Sequence, residues 1–79
     1  MNQQRVEQLT EREFEVLTHI GQGQNNRDVA SSLDISPRTV ELYRSRLMKK
    51  LEIDSSISLL LFAHDYVVSH ENGPEFLRG

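Results

Sequence analysis

The sequence predicts an all-α domain of four helices, and three observations predict this class. Thr10 precedes Glu13 by three residues, and Ser36 directly precedes Pro37; both patterns are typical of helix starts. Apolar residues then recur at spacings of three and four, the period of a half-buried helix. The segment "LLLFA", residues 59–63, is apolar enough for a buried strand, but the chain offers no convincing second strand to pair with it.

Length and composition limit the chain to one small domain. It has 79 residues and no cysteine, which excludes disulfides and thiolate metal sites. No apolar run approaches the length of a membrane span, and the polar start carries no signal peptide, so we expect a cytoplasmic protein without a membrane partner. We expect a flexible lead-in at 1–8, a folded domain at 9–69 and a flexible tail at 70–79.

The first two helices follow from their caps and apolar stripes. Thr10 and Glu13 form a capping box, and Gly21 and Gly23 end the first helix. Asn25 or Asn26 caps a short second helix. The buried faces of these two helices are predicted to carry Phe14, Val16, Leu17 and Ile20, then Val29, Ala30 and Leu33.

The third and fourth helices differ in their apolar patterns. Ser36 caps the third, which runs over about 37–51 after a connection too short for a wide loop. Asp54 or Ser55 caps the fourth, over about 56–69. Apolar residues cover more than one face of the fourth helix, which predicts burial against the domain on one side and a twofold partner on the other. The predicted dimer contacts are Leu59, Phe62, Ala63 and Tyr66.

Charge is distributed unevenly along the chain. The net charge is -3, yet residues 36–51 hold five of the nine Lys and Arg side chains and one of the twelve acids. At about 100° per residue, Val40, Leu47 and Leu51 fall on one face, with Tyr43 beside them. The opposite face carries the outward row, which consists of Arg38, Glu41, Leu42, Ser45, Arg46 and Lys49.

Two interpretations fit this basic helix. It is either an ordinary solvated helix with a network of charge pairs, or a surface for nucleic acid. A short capped helix, a tight turn and a second helix with a basic face form the helix-turn-helix layout, which favours DNA. Leu42 also favours DNA, because an apolar side chain among cations suits contact with a thymine methyl group.

The segments "LTEREFEVL" and "GQGQNNRDVASSLDISPRTVELYRSRLMKKL" resemble the LuxR/FixJ-type (GerE-like) helix-turn-helix domain of response regulators, over about residues 9–68. The resemblance implies a regulator in a two-component system, with its third helix in the major groove and its fourth dimerising on a dyad DNA site. It places base contacts at Glu41, Leu42, Ser45 and Arg46. It places DNA backbone contacts at Asn26, Arg27, Arg38, Thr39, Lys49 and Lys50.

Two positions depart from the family pattern. Tyr43 replaces the usual histidine, and we expect it to pack in the same way. Asp34 replaces the turn glycine, and aspartate tolerates the left-handed backbone region better than most residues. Glu41 has two interpretations of its own. It accepts a hydrogen bond from cytosine N4, or it is a structural acid that orients Arg38, Ser45 or a neighbour or rejects wrong bases by repulsion.

Other functions are less well supported by the sequence. His19, His64 and His70 do not have metal-ligand spacing, and no nucleophile–base pair is suggested, so we expect neither an enzyme nor a cofactor or small-molecule ligand. The main alternative is a LuxR-like anti-activator that binds another regulator through the fourth helix. The second is the promoter-binding region of a sigma factor. RNA polymerase is a further candidate partner of a DNA-bound regulator.

Overall fold

A computed structural model of the chain describes residues 6–72, with side chains described up to residue 69. Four helices follow one another between residues 11 and 72. They are α1 (Glu11–Gly21), α2 (Asn26–Leu33), α3 (Pro37–Lys50) and α4 (Ser56–Asn72). Within the described span no residue is in a strand. The all-α, four-helix fold predicted from the sequence is therefore confirmed.

Each helix begins at a side-chain cap. The capping box at α1 is complete: Thr10 Oγ1 accepts from the Glu13 N–H at 3.1 Å, and Glu13 Oε1 accepts from the Thr10 N–H at 2.9 Å. Asn25, Ser36 and Ser55 cap α2, α3 and α4, each accepting from the backbone N–H three residues later at 2.8–3.1 Å. These bonds satisfy donors that a helix start would otherwise leave unpaired.

The turn between α2 and α3 sets the angle of the helix pair. Asp34 has φ 59° and ψ 46°, which is the left-handed region expected where the family carries glycine. The following Ile35 N–H donates to Ala30 O at 3.0 Å and closes the end of α2. Glu52, with φ 58°, has the same conformation after α3. Across the first of these turns α3 packs against α2, while its outward row stays exposed.

The core draws residues from all four helices. Fully buried side chains include Val16, Leu17, Ile20, Val29, Val40, Leu47, Leu59 and Ala63. Phe14 differs from its predicted burial. It is partly exposed and packs edge-to-face against Tyr66, with ring centroids 5.7 Å apart. The predicted core faces of the first three helices are otherwise confirmed.

The end of α1 lies close against the backbone of α4. A Cβ added to Gly21 would overlap the carbonyl oxygen of Ala63 and lie 2.6 Å from Val67 Cγ2. The absence of a side chain at Gly21 therefore lets the end of α1 rest on the α4 backbone. α1 packs more extensively against α4 than against α2 or α3.

The packed part of the chain differs from the expected limits at both ends. Val6, placed by the sequence in a flexible lead-in, is buried in the core. The fourth helix was expected to end near residue 69 and continues to Asn72. Residues 1–5 of the predicted lead-in and 73–79 of the predicted tail lie outside the described residues.

Candidate nucleic-acid interface

α3 divides into an inner and an outer face. Val40 and Leu47 are fully buried, whereas all six residues of the outward row are exposed. Leu42 lies within this row and leaves 48% of its surface accessible. The helical period therefore identified both faces correctly. An exposed leucine flanked by cations is poorly suited to water and well suited to a partner that is both anionic and apolar in places.

Glu41 has a weak partner within the row. Its Oε1 lies 3.6 Å from the Arg38 guanidinium, which is longer than a hydrogen bond, and both side chains are well exposed. An exposed ion pair of this kind contributes between zero and about 1 kcal/mol. The contact agrees with the structural interpretation of Glu41, yet it is loose enough to leave the carboxylate available to a base. Both interpretations of Glu41 remain predictions.

Arg46 has a more defined position. Its guanidinium carbon lies 5.5 Å from the centroid of the Tyr43 ring, within the range of a cation–π contact. The Tyr43 ring is half-buried and packs against the core. Tyr43 therefore lies at the edge between the inner and outer faces of α3, as expected from its spacing.

Lys50 does not have the exposed position expected of a phosphate contact. Its Nζ donates to Glu13 Oε1 at 2.8 Å, and Glu13 is only 3% exposed. A buried carboxylate needs a partner charge, and Lys50 supplies it across 37 residues of sequence. Its ammonium joins the last turn of α3 to the start of α1. The contact of Lys50 with the DNA backbone stays a prediction. Adjacent Lys49 is exposed.

The Glu13 carboxyl has a pKa below its ordinary value of 4.5. Burial alone would raise this pKa, but the Lys50 ammonium and the hydrogen bonds from Thr10 favour the charged form more strongly. Because the folded-state pKa is lowered, the charged carboxylate stabilises the fold above about pH 4.5. This stabilisation is lost as the pH falls through the folded-state pKa.

We expect Glu13→Gln to reduce the acid sensitivity of the fold. Glutamine retains the capping-box acceptor but has no charge to titrate. The free energy of unfolding, measured by urea denaturation between about pH 6 and pH 3, should fall further for the wild type than for the variant. Parallel curves for the two proteins would contradict a lowered Glu13 pKa.

The remaining predicted backbone contacts lie at the starts of two helices. Asn26 and Arg27 form the first turn of α2, and Arg38 and Thr39 that of α3. Arg27 and Arg38 are exposed, and Asn26 and Thr39 are half-buried. Backbone N–H groups at such helix starts favour phosphate. The contact of these four residues with a DNA backbone stays a prediction.

Comparison with known proteins identifies this arrangement. The model of the family described as "Bacterial regulatory proteins, luxR family" matches residues 7–63. The chain belongs to the luxR family. Within this luxR-family chain, α2 and α3 are the helix-turn-helix and α4 is the additional C-terminal helix. No solved structure gives a significant match.

Three relatives have similar sequence identities to this luxR-family chain. The DNA-binding transcriptional activator EvgA of Escherichia coli K12 is 42% identical over 62 residues, 78% of this chain and 30% of EvgA. The uncharacterized transcriptional regulatory protein YhcZ of Bacillus subtilis 168 is 42% identical over 64 residues, 81% of this chain and 30% of YhcZ. The transcriptional regulatory protein FixJ of Rhizobium meliloti is 42% identical over 59 residues, 75% of this chain and 29% of FixJ. The luxR-family chain thus matches about a third of the length of each relative.

Two of the four predicted dimer contacts on α4, Leu59 and Ala63, require correction, whereas the dimer roles of Phe62 and Tyr66 stay predictions. Leu59 and Ala63 are 0% exposed because they face the core of their own domain, so they are unavailable to a partner. Phe62 and Tyr66 are partly buried and stack on each other, with ring centroids 6.4 Å apart. The apolar residues that α4 leaves exposed are Ile57, Leu60, Leu61 and Val68. We refer to these four as the exposed α4 face.

Arg44 does not belong to the outward row, but it borders a groove. It is half-buried and lines an open groove of about 630 Å³ between the start of α2 and the start of α4. Asn25, Asn26, Ile57 and Leu60 also line this groove. Helical spacing places Arg44 next to the buried stripe of α3, and this spacing does not indicate that the residue borders a groove.

In the described part of the luxR-family chain, no helix is long and apolar enough to cross a membrane.

Proposed function

We propose that the chain is a sequence-specific, double-stranded DNA-binding domain of a bacterial transcriptional regulator, and that it acts in the cytoplasm. The observation that carries the proposal is the outward row of α3. This exposed row carries three cations and one acid, with Leu42 among them, although the net charge of the protein is -3. Membership of the luxR family and the printed description of EvgA as a DNA-binding activator support the proposal.

In this proposal α3 lies in the major groove. Its 14 residues span about 21 Å, which is longer than the roughly 12 Å width of the groove and allows its exposed side chains to meet several base pairs. Glu41, Leu42, Ser45 and Arg46 face the base edges. Asn26, Arg27, Arg38, Thr39 and Lys49 face phosphates and provide most of the affinity and its salt dependence.

Replacing Lys49 by methionine tests the DNA contact directly. We expect affinity to fall for all duplexes, and the slope of log K against log salt to become shallower by about 0.9, the value for one lost phosphate contact. Fluorescence anisotropy at several salt concentrations measures this slope. A wild type whose binding does not depend on salt would contradict the proposed function, because phosphate contacts release counterions.

We also propose that a twofold partner covers the exposed α4 face. Ile57 and Leu61 leave 65% and 60% of their surface accessible, and all four residues of the face lie on one helix. A C2 interface uses the same patch on both subunits, so an apolar patch is complementary to its own copy. The dimer would form on a DNA site with two half-sites.

Leu61→Glu is expected to abolish this dimerisation. The charge would be buried next to its own copy across the twofold axis, while the core of the domain remains unchanged because Leu61 is exposed. Binding to a two-half-site duplex should lose its cooperativity, and binding to a single half-site should remain. Leu61→Met is the matched control and should behave as the wild type. Cooperative binding by Leu61→Glu would place the dimer contact elsewhere.

The exposed α4 face also supports a second candidate function. A LuxR-like anti-activator would use this face to bind another regulator, without needing a basic α3. The outward row favours DNA over this alternative and over a sigma-factor-like promoter domain. Binding of a second regulator that is lost in Leu61→Glu, with no salt-dependent DNA binding, would support the anti-activator. RNA polymerase remains a proposed partner of the DNA-bound form.

A further inference from the structure

Tyr43 and Arg46 form a unit at the edge of the outward row. The Tyr43 ring packs against the core from one side, so it is held by the domain and not by solvent-exposed contacts. The Arg46 guanidinium lies over this ring, with 5.5 Å between the guanidinium carbon and the ring centroid. A flexible arginine is thereby restrained by a ring that belongs to the rigid part of the molecule.

The contact suits a guanidinium that must be oriented. A guanidinium that lies flat over a ring keeps its in-plane N–H groups free to donate. Guanine presents its N7 and O6 acceptors side by side in the major groove, and a guanidinium contacts both only when its plane is correctly aligned. A phosphate contact needs charge more than alignment. The orientation of Arg46 is therefore more useful for a base than for the DNA backbone.

Arg38 provides a comparison within the same helix. Its side chain is 79% exposed, and its contact with Glu41 is a loose 3.6 Å ion pair. Arg38 thus resembles a mobile cation, which suits a phosphate, whereas Arg46 is restrained by the domain itself. The two arginines differ in their surroundings although both belong to the outward row.

From this geometry, and resting on the proposed DNA binding, we propose that Tyr43 is a positioning residue for specificity. It holds the Arg46 guanidinium for bidentate contact with one guanine in each half-site. The hydroxyl of Tyr43 takes no part, because the contact uses the face of the ring. Tyr43 acts only through Arg46 and does not itself touch DNA.

Binding-site selection with four proteins tests this role. The wild type and Tyr43→Phe should enrich guanine at one position of each half-site. Tyr43→Leu should lower that preference about two- to fivefold, the range for one exposed cation–π contact. Arg46→Lys removes the bidentate contact itself and should lower the preference more, by about five- to a hundredfold. The double variant, Tyr43→Leu with Arg46→Lys, should show the same guanine preference as Arg46→Lys alone. Once the guanidinium is gone, the Tyr43 ring has nothing left to orient.

The salt dependence of affinity separates positioning from general damage. Tyr43→Leu retains the charge of Arg46, so the slope of log K against log salt should remain as in the wild type. A purely structural effect would weaken binding to all duplexes equally and leave the guanine preference unchanged. Retention of that preference in Tyr43→Leu, or its loss in Tyr43→Phe, would overturn the proposal.

NMR of the free protein tests the Tyr43–Arg46 contact without DNA. The Arg46 δ-methylene protons should have an upfield NMR shift caused by the Tyr43 ring, retained in Tyr43→Phe and abolished in Tyr43→Leu. Absence of this shift in the wild type would overturn the positioning role. A wild type that shows the shift but enriches no DNA sequence would instead contradict the proposed function.

Discussion

Replacing Gly21 by alanine is expected to lower the free energy of unfolding by about 3 kcal/mol, at the upper end of the usual range for overpacking. The new Cβ would overlap the Ala63 carbonyl oxygen and crowd Val67. A backbone carbonyl within a helix moves only if the helix moves, so α4 would have to shift away from α1. Urea denaturation measures the loss.

Gly23→Ala is the matched control for this prediction. Gly23 has φ 89°, and a Cβ there would meet no other atom within 4 Å. Its substitution should therefore cost only about 1–2 kcal/mol of backbone strain and leave the α1–α4 contact intact. A Gly21→Ala protein as stable as the wild type would contradict the close packing of these two helices.

Replacing Lys50 by methionine is expected to destabilise the fold by about 3 kcal/mol, because it leaves the Glu13 carboxylate buried without a partner charge. Adding Glu13→Gln to this variant should recover part of the loss, since a neutral amide needs no counter-charge. Thermal or urea unfolding of the single and double variants measures both effects.

Lys49→Met is the matched control for Lys50→Met, because the two lysines are adjacent in the sequence. Lys49 is exposed, so its loss should change the free energy of unfolding by no more than about 0.5 kcal/mol. The two variants should also differ on DNA. Lys49→Met makes the salt slope shallower, whereas Lys50→Met leaves it unchanged. A stable Lys50→Met protein with a shallower slope of log K against log salt would instead show that Lys50 contacts phosphate.

The sequence predicted well those features that depend on neighbouring residues. The caps at Thr10, Asn25, Ser36 and Ser55 are local hydrogen bonds with recognisable residue patterns, and in two cases the structure selected one of two predicted neighbours. The inner and outer faces of α3 could be predicted from the helical spacing of its apolar residues, because these residues form one stripe.

Features that depend on distant residues were predicted less well. Because α4 is apolar on more than one side, the spacing of its apolar residues does not reveal which side meets the core. Leu59 and Ala63 were therefore assigned to the partner side, whereas they face the core. The choice depends on Gly21, about 40 residues earlier in the chain, where the missing side chain admits the α4 backbone. The ion pair of Lys50 was missed for a similar reason, because its partner Glu13 lies on α1.

Binding-site selection from random duplexes, at a low and a high salt concentration, tests the central claim most directly. We predict enrichment of a dyad site whose two half-sites lie about one helical turn apart, with affinity falling steeply as salt rises. The absence of any enriched sequence at low salt would contradict the proposal that the outward row of α3 binds specific DNA.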